Sequence, residues 1–239
     1  MPKPSSKLVF AAALGFVSCR TESISDFGTN EVTANITALA AGTGSTTVSA
    51  TFRKGASLTF LQLSSDDSVM VTAGTNSQKL SETSLLGVVT YSTSVPLDAE
   101  GTAFTVALQR KKDSGAPSSV ATLPQAFDLT VPSGSFSRAD AGPTLGWSNA
   151  GSDPMQLQIS GGCIDLLEAT LTSGATQYTV AAGALKKRSG LADGGSEVPD
   201  SCVATAQVDR EHAGALDPGY AGGTSSGIQR RTVSFTTAP

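Results

Sequence analysis

The chain has 239 residues, of which 39% are hydrophobic and only 15% charged, with a formal net charge of −4 at pH 7. No strongly basic surface is available for nucleic acid, which is recognised through clustered Lys and Arg. With one Trp, three Tyr and nine Phe, large anchoring side chains are scarce.

The first eighteen residues read as an export signal. Lys3 and Lys7 precede an apolar run from Leu8 to Val17, and Ser18-Cys19 closes it. That run is too short for a bilayer-spanning helix of about 20 residues. Residues 19–31 are polar and aperiodic, as in a flexible tether. Thereafter apolar side chains recur at period two in short segments, the pattern of half-buried strands. Val32, Ala34, Ile36 and Ala38 share one face, and Val48, Ala50 and Phe52 another. Ala56 to Leu63, the strand starting at Val69, Leu85 to Tyr91, Thr102 to Arg110 and Phe127 to Val131 continue the series. Lys111 to Ser119 reads as a long polar loop. No window of twelve residues carries a helical period; Leu80 to Leu86 offers one turn at most.

Pro132-Ser133-Gly134-Ser135 marks a boundary, because proline cannot donate to a sheet ladder and the small residues beside it pack no core. The expected division is residues 32–132 and 136–239, each large enough for its own core. A single large sandwich is the alternative, disfavoured by the complete set of strands before Pro132. In the second half, Trp147 is a core candidate, and Met155, Leu157 and Ile159 alternate with polar neighbours. Cys202, Ala204, Ala206 and Val208 line one strand face, which is expected to run into a loop at His212. Gly214 to Gly227 reads as a glycine-rich excursion, and Ile228 to Thr236 as the closing strand.

Of three cysteines, Cys19 belongs to the signal, which leaves Cys163 and Cys202 as a lone pair in an exported chain. Disulfides persist in such compartments, so a bond between them is expected; two free thiols are the alternative. A zinc site is disfavoured, since His212 is the only histidine.

The stretch from Lys3 to Cys19 resembles the signal of bacterial lipoproteins, with Phe16 where a branched aliphatic residue is usual. The resemblance implies a lipid thioether on Cys19, cleavage between Ser18 and Cys19, and residence in the cell envelope. Arg20 in place of aspartate implies the outer membrane where the host has one. The remaining strand texture resembles the tandem immunoglobulin-like or fibronectin type III-like domains of bacterial surface lipoproteins, which implies an all-β chain of two antiparallel β-sandwiches. Trp147 precedes both cysteines, which departs from the antibody-type Cys-Trp-Cys order.

Chemistry is sparsely signalled. There is no Gly-x-Ser-x-Gly elbow at a strand–helix turn, and His212 reads as a surface or hydrogen-bonding residue rather than a catalytic base. Asp66-Asp67, Asp193-Gly194-Gly195 and Asp217-Pro218-Gly219 lack EF-hand spacing and read as turns. Arg110-Lys111-Lys112 and Lys186-Lys187-Arg188 read as solvated loop charge. Tyr220, within the glycine-rich segment, is the candidate exposed contact, with His212 beside it as a second. No cofactor and no metal are called for. The expectation is a non-enzymatic, lipid-anchored envelope module whose partners are the membrane and an envelope protein or glycan. The alternative is a secreted polysaccharide-active enzyme or its carbohydrate-binding accessory.

Overall fold

The computed structural model describes residues 21–190 and 197–239; Cys19, the signal segment and Asp193 lie outside them. The described chain is all-β, with only two single-turn 3-10 helices, at Ile24–Asp26 and Thr29–Glu31. Its strands are β1 (Thr21–Ser23), β2 (Val32–Ala40), β3 (Thr46–Lys54), β4 (Phe60–Gln62), β5 (Ser68–Ala73), β6 (Asn76–Lys79), β7 (Ser81–Leu85), β8 (Val88–Val95), β9 (Ala103–Gln109) and β10 (Ala116–Thr122). They continue as β11 (Leu129–Thr130), β12 (Ser135–Ser137), β13 (Thr144–Trp147), β14 (Met155–Gly161), β15 (Ile164–Leu171), β16 (Gln177–Thr179), β17 (Cys202–Ala213) and β18 (Gly222–Ala238).

One large sheet runs in the order β1-β4-β3-β2-β18-β17-β14-β15, with β12 beside β18 and the β7–β8 hairpin attached to β3. Two smaller sheets, β10-β9-β5-β6 and β11-β13-β16, complete the layers. The period-two pattern explains the pairing: alternate residues of β2 are buried and partly exposed along its whole length. Two hydrophobic clusters result. One gathers Ile24 to Leu123 together with Tyr220; the other gathers Phe127 to Phe235. The change of core thus falls between Leu123 and Phe127, ahead of the expected boundary.

Strand β18 belongs to both halves. Its first eight residues pair in parallel with β2, from Gly222–Thr33 to Gln229–Ala40. Its last three pair with β12, and β17 pairs along the other edge from Cys202–Thr237 to Ala213–Ser226. The glycine-rich segment is therefore half strand. Glycine is needed there because backbones meet: a Cβ on Gly227 would lie 1.9 Å from the Thr122 carbonyl oxygen. On Gly223, at φ +121°, it would lie 1.8 Å from the Ala34 carbonyl oxygen.

Other expectations are corrected. Residues 21–31 are no tether: β1 pairs with β4, and Ile24 is fully buried. Arg110 is no solvated charge, because its guanidinium donates to the Ile24 and Phe27 carbonyls at 2.7 and 2.9 Å and pairs with Asp113 at 3.0 Å. Those bonds clamp the N-terminal segment to the body. The polar stretch before Ser119 hides the start of β10, and residues after Cys163 form β15. Cys163 and Cys202 are disulfide-bonded, with Cα atoms 5.7 Å apart. By restricting the unfolded chain, a bond of this span contributes about 4 kcal/mol.

The turn at Asp217 ties the start of β18 to β10. Burial opposes charge on its carboxylate. Hydrogen bonds from the Ser118 hydroxyl and the Gly219 and Ser118 amides outweigh that and hold its pKa below the usual range. A depressed carboxyl pKa stabilises the fold above the unfolded value of about 3.9, and that contribution is lost as pH falls through the folded value. Asp217→Asn is therefore expected to cost about 1–3 kcal/mol at neutral pH. Urea midpoints of the two proteins should converge once the pH falls well below about 3.9. A gap that persists in acid would show that the charge is not what matters.

Candidate functional site

The alternation of β17 carries past Val208 rather than ending in a loop, so Arg210 and His212 fall in phase with Ala204 and Ala206. Arg210 is fully buried where the two cores meet. Its guanidinium donates to the Gln125 carbonyl at 3.0 Å and to the Asn149 carbonyl, and lies 5.0 Å from the Phe127 ring centre. Burial lowers its pKa, while the charges of Asp153 and Glu100 act in the opposite direction. An arginine remains protonated in such a setting.

Above Arg210 opens a shallow cleft of about 380 Å³, lined by Glu100, Gly101, Thr122 to Gln125, Asp153 and His212. His212 Nδ1 lies 2.8 Å from Asp153 Oδ1, with the imidazole about half exposed. Glu100 Oε2 accepts from the Ala126 amide at 3.1 Å. The cleft thus gathers the single histidine with two carboxylates, an arrangement that the sequence could not display because they come from three distant segments. Such a pair can orient an imidazole as a proton acceptor or hydrogen-bond polar ligands. Thr122 is the only lining residue with a hydroxyl, and among the described residues no hydroxyl or thiol is hydrogen-bonded to His212. Among the described residues, no group of three or more His, Cys, Asp or Glu side chains is placed to hold a metal ion.

A second recess of about 400 Å³ lies beside Tyr91, Glu82 and Lys79. The Tyr91 hydroxyl accepts from the Leu63 amide at 2.7 Å and donates to Glu82 at 2.9 Å. Burial, chiefly, pushes its pKa well above the usual phenol value. These bonds fix the ring as a structural post.

Tyr220 is buried, not an exposed contact: its ring stacks on Phe52 at 6.2 Å in the first core. Pairing of β18 with β2 carries it inward, a long-range event that the local glycine composition did not reveal. Asp66, Asp67 and Asp217 each have a partner, and only Asp217 caps its own turn. Asp67 accepts from the Lys111 amide at 3.0 Å, and Asp66 pairs with the Lys111 ammonium at 3.1 Å. Asp217 caps Gly219. Arg210 is the buried charged residue that sequence reading passed over; the only signal was its even spacing from Val208.

No protein-family model matches this chain, and no curated protein matches it.

Proposed function

We propose that this chain is an exported, lipid-anchored envelope protein in which two immunoglobulin-like or fibronectin type III-like layers form a rigid spacer. In this reading the protein holds its disulfide-stapled end away from the membrane for contact with an envelope protein or glycan. The observation that carries it is strand β18, which is hydrogen-bonded into both halves of the body. Its N-terminal end lies beside Thr33, close to where the described chain begins, and its C-terminal end lies beside Cys202. At about 3.3 Å per residue, seventeen residues span roughly 55 Å. A strand shared by two cores leaves no hinge between them.

The lipid anchor rests on the basic start, the apolar run and Ser18-Cys19. A lysine-rich apolar leader directs export, and the disulfide suits an oxidising compartment. Metabolic labelling with a radiolabelled fatty acid should mark the wild type and leave Cys19→Ala unmarked. Equal labelling of the two proteins would refute the anchor.

The cleft between the halves favours a second reading, a glycan-active or glycan-binding site using His212, Asp153 and Glu100. The two readings separate in a glycan-array screen of the wild type and His212→Ala. Binding or turnover that disappears in the variant would replace the spacer role with a cleft-centred one.

A further inference from the structure

The described chain begins at Thr21, two residues after Cys19, and it begins fastened. Thr21 pairs with Phe60 in the large sheet, and Arg110 clamps the segment four to seven residues later. In the sequence only Arg20 separates Cys19 from Thr21. Large exposed apolar side chains flank Thr21 on both sides in the chain segments it touches. Leu58 is 64% exposed in the loop that leads into Phe60, the register partner of Thr21. On the other side, the Thr21 hydroxyl donates to the Gly87 carbonyl at 3.4 Å, in the turn of the β7–β8 hairpin. That turn carries Leu85, Leu86 and Val88, which are 70%, 88% and 37% exposed.

The turn itself is unusual. Leu85 pairs with Val88, and the two residues between them both have positive φ: Leu86 at 50° and Gly87 at 82°. Tight two-residue hairpins of this kind favour Asn-Gly, because a leucine Cβ is strained in the left-handed region. Leu86 thus occupies a position that suits it neither in backbone nor in solvent. Resting on the lipid-anchored reading above, we propose that Leu58 and the Leu85–Val88 hairpin tip form a membrane-docking surface that beds into the phospholipid interface beside the lipidated Cys19. A lipid tether fixes a point without fixing an orientation, and an apolar surface bedded in the interface beside it would orient the body. Docking would stand β18 away from the membrane, since its first residues lie at this end of the sheet.

The test uses the full chain, processed in a bacterial host and reconstituted in phosphatidylethanolamine–phosphatidylglycerol vesicles carrying a nitroxide-labelled lipid. A fluorophore on Leu86→Cys is expected to be quenched several-fold more than one on Val203→Cys, which is exposed in the second half. Vesicle-bound, fatty-acid-labelled protein whose two probes are quenched equally would overturn the docking and leave the anchor standing. Absence of the fatty-acid label would overturn the anchor and the docking with it. Leu86→Asn supplies an independent check, since it is expected to raise the melting temperature by relieving the turn. A lower melting temperature would mean that Leu86 serves the fold, and would overturn its assignment to the membrane.

Discussion

Gly227→Ala is expected to abolish stable folding, or to cost on the order of 4 kcal/mol or more, from the addition of one methyl group. The new Cβ would lie 1.9 Å from the Thr122 oxygen, 2.4 Å from the Thr122 carbonyl carbon and 2.9 Å from the Leu123 nitrogen. All three atoms are backbone, held by β10 and its continuation, so no side chain can swing aside. Relief requires the smaller sheet to lift from β18, which would separate the layers of the first core. Two other glycines calibrate the effect. Gly44, at φ +82° with nothing within 4 Å of its Cβ position, should lose only about 1 kcal/mol on change to Ala, through backbone strain. Gly222, on the same strand, with open space and no positive φ, should change by less than about 0.5 kcal/mol. Chemical denaturation of the three variants checks the order. Similar losses at Gly227 and Gly44 would show that the backbones are not in contact as described.

Arg210→Ala is expected to cost about 3–5 kcal/mol, because two buried carbonyls lose their donor and a large buried side chain leaves a cavity. The Gln125 and Asn149 carbonyls lose their donors, and a space opens beneath Phe127 at the junction of the cores. Arg210→Lys should rescue little. An ammonium is a point donor on a thinner stem and cannot fork to two carbonyls while its face lies against a ring. Arg210→Met, which refills the volume, should fall between the two extremes, since the carbonyls stay unpaired. Thermal unfolding followed by tryptophan fluorescence suits this measurement, because Trp147 belongs to the second core. A loss below about 1 kcal/mol for Arg210→Ala would mean that water satisfies those carbonyls and that the junction does not depend on the guanidinium.

Strands whose signal is local could be read from the residues alone. The alternating faces of β2, β3, β9, β14 and β17 were legible because each side chain's environment repeats every second residue. The bond between Cys163 and Cys202 was legible because, with Cys19 set apart near the start of the chain, only these two cysteines remain to pair. The Asp217 turn was legible from its own three residues.

Everything that depends on which strands become neighbours emerged only on folding. Parallel pairing of β18 with β2 joins residues nearly two hundred positions apart and leaves no local trace. The same pairing turned a glycine-rich loop into a strand and drew Tyr220 into the core. Arg110 and Arg210 carry charges that composition assigns to solvent; burial became affordable only where backbone carbonyls converge on each guanidinium. His212, Asp153 and Glu100 share a cleft for the same reason. Side chains far apart in sequence acquire a common environment only when the sheet fixes the distance between them.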